Sequence, residues 1–240
     1  MIDETLPVAL YQQLAQEFIA KIKSDEWPID YVIPGELQLS KEYNISRSTV
    51  RQALDVLERE GYVIRKQGKG TRITAPKFKQ RLVKFYSFSE DVRNMGYTPS
   101  SELIWFKTIP AEERIARTLK IQKGESVFSI KRVRLADNVP LALETSYIPY
   151  DLYPFLTEEL IIKNGLYNSM RKNIGLQPNQ AHETFEAVII PKAVAKLLRV
   201  ECPAAGMSLR RITTSGSFVV EYCECIVRGD RYKYEVSLES

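Results

Sequence analysis

The sequence is poor in the residues that many catalytic and metal sites need. It has one histidine, His182, and three cysteines, Cys202, Cys223 and Cys225, in 240 residues. A nucleophile with a histidine base would have to use His182, and no catalytic motif surrounds that residue. Cys223 and Cys225 are spaced as half of a metal site, but no Cys or His cluster completes four ligands. We therefore expect a structural His182, reduced thiols, and neither metal nor cofactor.

Long apolar runs, export signals and nucleotide-binding loops are also missing. No run of about 18 apolar residues exists to cross a bilayer. The first residues, MIDETLPVAL, lack a basic start followed by an apolar core. No Gly-rich phosphate loop of the nucleotide-binding kinds is present. The composition, 44% hydrophobic and 27% charged, is that of an ordinary globular protein. We expect a cytoplasmic protein.

Positive charge is concentrated in one segment of the chain. Residues 41–84 carry twelve Lys and Arg against four Asp and Glu, whereas residues 1–40 carry two against seven. The remainder is nearly neutral, with twenty against nineteen. A local excess of this kind is typical of a surface that binds a polyanion. It is equally compatible with a solvated face, so the local sequence pattern has to decide.

The first 75 residues have the pattern of a winged helix-turn-helix. A first helix is predicted over about 8–24, with apolar residues every four positions, and a second over about 34–43. After a tight turn, Ser46 is placed to cap a third helix that Gly61 ends. Two β-prone runs around residues 67–70 then predict a hairpin.

The start of the third helix carries side chains suited to DNA. Arg47 and Arg51 lie one turn apart, away from the apolar face, and arginine makes bidentate contacts with guanine. The alternative is a solvated face beside a protein core. The hairpin favours DNA because glycine lets a backbone approach closely while basic residues add charge. The predicted DNA contacts are Ser46, Arg47, Ser48, Thr49, Arg51, Lys66, Gly68, Lys69, Gly70 and Thr71.

Residues 85–240 are predicted to form an α+β domain with a largely antiparallel sheet. Hairpin turns are expected at 136–138 and at 215–216. Residues 76–84 are predicted to be a basic linker, in which Lys77 and Lys79 contact phosphate. The predicted strands are 102–108, 127–135, 141–148, 183–190, 207–214, 218–227 and 232–238, and the predicted helices are 111–119, 166–172 and 192–198.

One predicted strand combines apolar and cationic side chains on a single face. Phe128, Ile130, Arg132 and Arg134 share that face because side chains alternate along a strand. The pattern favours a strand buried at one end and meeting an anion at the other, since arginine holds carboxylate or phosphate in fixed geometry. Glu144, flanked by small residues, leaves room for a hydroxyl or an amine. The alternative is that the arginines reach solvent or pair structurally with Glu144.

Residues 8–75 contain a series of short motifs in a fixed order. They are Leu10-Tyr11-x-Gln13, Pro34-x-Glu36, Ile45-Ser46-Arg47-Ser48-Thr49-Val50-Arg51-x-Ala53-Leu54, Leu57-x-x-Glu60-Gly61 and Gly68-Lys69-Gly70-Thr71. With these motifs the segment closely resembles the DNA-binding domain of the GntR family of regulators. This resemblance implies a homodimer on a palindromic operator. Two positions depart from the family pattern: Gly35 stands where the family usually has Ser, and Leu37 where it often has a DNA-contacting Arg.

Residues 85–240 contain a second series of motifs. They are Gly96-Tyr97-Thr98-Pro99, Ile109-Pro110-Ala111, Lys131-Arg132-Val133-Arg134, Pro140-Leu141-Ala142-Leu143-Glu144 and Arg228-Gly229-Asp230-Arg231-Tyr232. With these motifs the segment resembles the effector domain of the HutC subfamily, the UTRA domain, whose fold is like that of chorismate lyase. By similarity to N-acetylglucosamine- and sugar-phosphate-responsive repressors, Ser89 would help to hold phosphate, and the rest of the site would be Arg132, Arg134, Glu144, Tyr167 and Glu221. Gly165 replaces a Ser often found two residues before the tyrosine.

These features together indicate a transcriptional regulator rather than an enzyme. Its expected domains are a winged helix-turn-helix over 1–75, the linker over 76–84 and an effector domain over 85–240. The expected function is repression that an anionic metabolite, first of all a phosphorylated sugar, releases. The alternatives are an effector that is a non-phosphorylated sugar derivative, amino acid or carboxylate, a DNA-binding protein with a vestigial sensor, and a chorismate-lyase-like enzyme.

Overall fold

The structure is a computed structural model. It describes residues 7–66, 68, 70–74, 77–82, 85–172 and 175–237, with only the backbone of Lys66 and Arg81. The chain divides into two compact units, Met1–Lys77 and Phe78–Ser240.

The first unit combines three helices with a small antiparallel sheet. The helices are α1 (Leu10–Lys23), α2 (Glu36–Glu42) and α3 (Arg47–Glu60), and the strands are β1 (Val32–Ile33), β2 (Val63–Lys66) and β3 (Gly70–Ile73), in the order β1-β3-β2. Buried apolar residues of the three helices meet the inner face of the sheet in one core. Helices α1 and α3 repeat these residues every three or four positions, whereas α2 contributes Leu39. The predicted winged helix-turn-helix is confirmed. The sequence analysis missed β1, since two residues are too few to show a period.

Both ends of α3 have the predicted caps. The Ser46 side-chain oxygen accepts a hydrogen bond from the backbone N–H of Thr49 at 3.1 Å. Gly61 has φ +84, in the left-handed region that glycine adopts without strain, and it stops the helix. Helix α2 instead follows Gly35, which has no side chain to cap it.

The strands of the second unit are β4 (Phe78–Arg81), β5 (Pro99–Pro110), β6 (Ser126–Ala136), β7 (Val139–Pro149), β8 (Gln180–Ile189), β9 (Ala205–Ser215), β10 (Phe218–Arg228) and β11 (Tyr232–Glu235). Six of them form one antiparallel sheet with the order β5-β6-β7-β10-β9-β8. Asp137 and Asn138, with φ +46 and +63, form the predicted turn between β6 and β7, and Gly216 lies in the predicted turn between β9 and β10. The antiparallel prediction is confirmed.

Helices cover both faces of the large sheet. They are α4 (Phe88–Asn94), α5 (Glu113–Leu119), α6 (Glu158–Asn164), α7 (Leu166–Met170) and α8 (Lys192–Leu197), with a short 3-10 turn at Tyr150–Leu152. Apolar residues of α6 and α7 pack with Phe128 and Ile130 on one face. Apolar residues of α5 and α8 pack against the opposite face. The prediction missed α4 and α6, which have seven residues each, although it found α5, which is equally short.

The prediction of a linker over 76–84 is wrong at its centre. Strand β4 pairs in parallel with β11, from Phe78 opposite Tyr232 onwards. Phe78 is buried against Phe88 and Tyr232, with ring centroids 5.9 and 4.8 Å away. Gln80 is 1% exposed and accepts a hydrogen bond from the Tyr232 hydroxyl at 2.9 Å. In the sequence, these inward side chains alternate with basic residues, so the segment was interpreted as a basic linker rather than as a strand.

Candidate functional site

Helix α3 presents its basic residues on the face opposite the core. Arg47 and Arg51 are exposed, whereas Val50 and Leu54 are buried. This agrees with the predicted faces because helical residues three and four apart share a side. At the start of the helix, the Ser46 hydroxyl oxygen lies 2.7 Å from that of Ser48 and 2.8 Å from that of Thr49.

Arg51 has a partner that the sequence analysis did not foresee. Its guanidinium donates two hydrogen bonds to the carboxylate of Glu36, in the first turn of α2, at 3.0 and 2.7 Å. The hydrogen bond from Arg51 lowers the pKa of Glu36, so the pair is ionised at neutral pH. Fifteen residues separate the partners, and no periodicity within one element reveals such a contact. Arg51 is therefore an anchored cation at the predicted DNA surface.

The wing has the glycine geometry that the hairpin prediction requires. Gly68 and Gly70 have φ +74 and +77, and a β-carbon on Gly70 would lie 3.3 Å from a methyl of Val32. Thr71, on β3, pairs with Ile33 and Arg65 across the sheet. Lys69 and the side chain of Lys66 lie outside the described residues.

The two predicted linker lysines differ in setting. Lys77 is exposed, and Lys79 lies half-buried in β4 opposite Lys233. Lys79 is therefore part of a strand of the second unit and not of a linker, while its predicted contact with phosphate stays a prediction.

One face of the large sheet forms the floor of a cavity within the second unit. The cavity encloses about 760 Å³ of space, its open mouth included. Two rows of paired residues cross the floor. In the first row, Glu144 lies between its two cross-strand partners, Arg132 and Cys225. In the second row, Cys223 lies opposite Arg211. The lining includes all six residues predicted to bind an effector, namely Ser89, Arg132, Arg134, Glu144, Tyr167 and Glu221.

A buried cluster of two arginines and one glutamate lies at one side of this floor. Arg132 and Arg134 are 3% and 6% exposed, and both donate to the same carboxylate oxygen of Glu144, Arg134 at 2.9 Å. Arg134 also donates to the hydroxyl of Ser89 at 2.8 Å. Although burial acts to raise the pKa of Glu144, the two guanidinium charges hold it below its ordinary value. The structural pairing left open by the sequence analysis is therefore present in the structure.

The pairing leaves hydrogen-bond donors unused. Within the described residues, the Nε atoms of Arg132 and Arg134 are buried and have no hydrogen-bond partner. Buried polar groups in proteins are nearly always paired, and an unpaired one is costly. These donors therefore mark a place where an acceptor from outside the chain would be stabilised after small side-chain movements.

Glu221 forms a second polar centre on the floor. It is 2% exposed and accepts hydrogen bonds from the hydroxyls of Ser146, Tyr167 and Thr213 at 2.7, 2.6 and 3.0 Å. Burial raises the pKa of Tyr167 well above its ordinary value, so its hydroxyl remains a donor. Glu221 could therefore accept a hydrogen bond from a ligand hydroxyl in place of one from a protein hydroxyl, as the binding of a polyol requires.

Sequence reasoning missed a third charged group of the cavity. Arg211 is 6% exposed and donates to Glu183 at 3.1 Å and to the backbone carbonyl of Tyr86 at 2.8 Å. Its guanidinium carbon lies 4.9, 4.4 and 5.5 Å from the ring centres of Phe85, Tyr86 and Tyr167. The available signal was the alternation Leu209-x-Arg211-x-Thr213, which resembles the pattern around Arg132.

Comparison with known proteins fits both units. The model of the bacterial regulatory proteins of the gntR family matches residues 10–73, and that of the UTRA domain matches residues 94–233. The chain is 32% identical to the HTH-type transcriptional repressor NagR of Bacillus subtilis (strain 168), over 97% of this chain and 96% of that protein. The chain belongs to the GntR family and its UTRA-containing HutC subfamily.

Two further relatives of this GntR-family chain extend the comparison. The mannosyl-D-glycerate transport/metabolism system repressor MngR of Escherichia coli (strain K12) is 27% identical over 94% of both chains. The crystal structure of PhnF from Mycobacterium smegmatis has a TM-score of 0.82 at 25% identity, covering 97% of this chain and 100% of that one. The related proteins are transcriptional regulators, so the prediction of a regulator rather than an enzyme is confirmed.

Membership of the GntR family assigns the two units their general roles. The first is the DNA-binding unit, and the second, which contains the cavity, is the UTRA domain. Among the residues that the structure describes, no group of three or more His, Cys, Asp or Glu is placed to hold a metal ion. No helix in the described ranges is long and apolar enough to cross a membrane.

Proposed function

We propose that this regulator is a homodimeric repressor that leaves its operator when a small anionic metabolite, first of all a phosphorylated sugar, binds in the UTRA cavity. The observation that carries the proposal is the buried pair Arg132 and Arg134, whose Nε donors have no hydrogen-bond partner in the part of the chain that the structure describes. Each guanidinium donates to Glu144 through another of its nitrogen atoms. An anion that accepts from the Nε atoms would therefore add hydrogen bonds without breaking those to Glu144.

The anion is expected beside Arg134 and Ser89. Arg134 bridges Glu144 and the Ser89 hydroxyl, and Ser89 lies at the start of α4. Guanidinium groups bind phosphate and carboxylate through paired, charge-assisted hydrogen bonds. A phosphate oxygen at this place would accept from Arg134 while Ser89 donates to it.

The remainder of the ligand is expected to carry hydroxyl groups. Glu221 and its hydroxyl partners lie on the same floor, two strands away from the arginines. A sugar offers hydroxyls that both donate and accept, which suits a carboxylate surrounded by exchangeable O–H donors.

A sugar joined to a carboxylate is the second candidate. The name of the relative MngR refers to mannosyl-D-glycerate, a sugar derivative of that kind. Arginine pairs hold carboxylate as well as phosphate, so these side chains alone do not separate the two ligands.

On DNA, the exposed start of α3 and the wing are the proposed contact surface. Arg47 and Arg51 would read bases, the hydroxyls of Ser46, Ser48 and Thr49 and the wing around Gly68–Thr71 would approach phosphates, and Lys77 would add charge. One such helix covers a half-site, so a two-fold symmetric dimer on a palindrome is proposed.

A thermal-shift screen tests the ligand proposal. Phosphorylated sugars, sugar carboxylates, uncharged sugars and amino acids are compared, because a ligand that binds only the folded protein raises the melting temperature by mass action. Arg132→Met should abolish the shift given by the anionic sugars. Lys131→Ala is the matched control, since Lys131 points to the opposite face over the ring of Trp105. An unchanged shift in Arg132→Met would overturn the proposed anion site.

A further inference from the structure

Residues 85–89 form a strap that lines the cavity and ends in the first turn of α4. All five line the cavity or touch Arg211, and the strap is attached to the sheet near both of its ends. At the first attachment, Arg211 donates to the backbone carbonyl of Tyr86. At the second, Arg134 donates to the hydroxyl of Ser89.

The attachment at Tyr86 is unusually complete. Arg211 and Glu183 are directly opposite each other on β9 and β8, and their side chains form an ion pair of 3.1 Å. Arg211 holds the carbonyl of Tyr86, while Glu183 accepts from the hydroxyl of the same tyrosine at 2.6 Å. The ring of Tyr86 covers the guanidinium at 4.4 Å. One residue of the strap is thus held through its backbone, its hydroxyl and its ring.

Arg211 is enclosed, and its Nε, like those of Arg132 and Arg134, has no hydrogen-bond partner among the described residues. Its role differs from theirs because it holds Tyr86 through both the backbone carbonyl and the ring. The rings of Phe85, Tyr86 and Tyr167 surround its guanidinium, and Glu183 neutralises it. A cation enclosed in this way stacks on aromatic faces and fixes them. Its hydrogen bonds go to the strap and to the sheet edge.

We propose that Arg211 is a positioning residue of the effector cavity, which acts by fixing the strap so that Ser89 meets the bound anion beside Arg134. This inference rests on the proposed function in one respect, namely that an anion binds there. The mechanical part, the hold of Arg211 on the strap, is independent of any ligand.

The test variant is Arg211→Met combined with Glu183→Gln, which removes the ion pair without leaving a buried charge alone. The matched control is Arg210→Met combined with Glu186→Gln. Arg210 is the neighbouring residue of β9, its side chain is 56% exposed, and it lies 3.7 Å from Glu186. The control removes the same charges from an exposed place. Tyr86→Phe, which loses only the hydroxyl bond to Glu183, is a milder variant that keeps the test usable if the double variant unfolds.

Hydrogen exchange of the full-length protein without ligand tests the mechanical part. The amide of Glu90 donates to the Ser87 hydroxyl and that of Asp91 to the Ser87 carbonyl, at 3.2 and 3.0 Å, so both report on the first turn of α4, in which the strap ends. We expect these two amides to exchange faster in the Arg211→Met, Glu183→Gln variant and in Tyr86→Phe than in the native protein, while the amides of β10 exchange at the native rate. In the control variant, the amides of Glu90 and Asp91 should also exchange at the native rate. Unchanged exchange at Glu90 and Asp91 would overturn the hold on the strap.

A double-mutant cycle with inorganic phosphate tests the functional part. We expect the Arg211 variant to weaken phosphate binding by about three- to tenfold, and Ser89→Ala to weaken it similarly. In the Ser89→Ala background the Arg211 variant should have almost no further effect, because its benefit passes through Ser89. If the losses of phosphate affinity in the two variants multiplied when the variants were combined, the inference would be overturned, and Arg211 would contact the phosphate directly. Native protein that binds no phosphate would overturn the proposed anion site, while the exchange result would still decide the hold on the strap.

Discussion

Arg51 and Glu36 form a two-bond ion pair that joins the recognition helix to the helix before it, with donor–acceptor distances of 3.0 and 2.7 Å. The pair is at the surface, since the Arg51 side chain is 56% exposed. Exposed ion pairs add little to stability, about 0–1 kcal/mol. Loss of this ion pair is therefore expected to change DNA binding more than it changes the stability of the fold.

Glu36→Gln should tighten binding to all DNA sequences. Removing this carboxylate leaves one more uncompensated positive charge at the proposed DNA surface, so the salt dependence of binding should steepen by about one unit of slope. The measurement is a titration of operator and random DNA at several salt concentrations. Glu42→Gln, an exposed residue at the end of the same helix, is the control. A loss of sequence preference at constant slope would instead mean that Glu36 orients Arg51 for a base.

Glu144→Gln should destabilise the second unit most strongly at neutral pH. The substitution leaves Arg132 and Arg134 buried without their carboxylate, and breaking such a pair costs about 3–5 kcal/mol. Because the pKa of Glu144 is lowered in the folded protein, its stabilisation is present above the ordinary value of 4.5 and is lost as pH falls through the lowered pKa.

The check on Glu144 is urea denaturation at neutral pH and at about pH 3. The difference between native protein and Glu144→Gln should shrink at the lower pH. Glu102→Gln, which removes an exposed partner of Arg199, should change stability little at either pH. A difference that is the same at both pH values would contradict the ionised cluster.

Gln80→Ala should destabilise the second unit although residue 80 lies in a predicted linker. The side chain is 1% exposed, donates to Asp91 and accepts from Tyr232, so its loss leaves buried polar groups unpaired at a cost of about 1–3 kcal/mol. Lys79→Ala, one residue away and half-buried, should cost less. Equal melting temperatures for native protein and Gln80→Ala would argue that β4 does not pack as described.

Gly165→Ala should lower stability through the backbone. Gly165 has φ +80 and ψ 161, a combination that is strained for residues with a β-carbon and costs about 1–3 kcal/mol. The added carbon itself would lie 4.0 Å from the Ser89 hydroxyl, an ordinary contact. Gly35→Ala, with a negative φ and open space around it, is the control and should be nearly neutral. Thermal denaturation of both variants decides the matter.

Local patterns predicted much of this molecule from sequence. The caps at Ser46 and Gly61 and the turn at 137–138 depend on single residues with strong backbone preferences, and all are present. The shared face of Arg132 and Arg134 follows from strand alternation alone. These features are local, so neighbouring residues suffice to reveal them.

What escaped prediction depends on contacts between distant residues or on very short elements. The pairs Arg51–Glu36 and Arg211–Glu183 join different elements, and only the fold brings them together. Helices α4 and α6 have signals that were available, since Ser87 and Thr157 each accept a hydrogen bond from the first turn. A cap followed by acidic residues is therefore informative even where no helical period is visible.

Coupling between the cavity and DNA is the central claim, and calorimetry tests it most directly. The phosphorylated sugar that gives the largest thermal shift is titrated into free protein and into the protein–operator complex. Linkage requires operator DNA to weaken sugar binding by the same factor by which the sugar weakens operator binding; a factor of about 100 corresponds to roughly 2.7 kcal/mol. We predict weaker binding to the complex by that factor. Equal affinities for free protein and complex would contradict the account, however tightly the sugar bound.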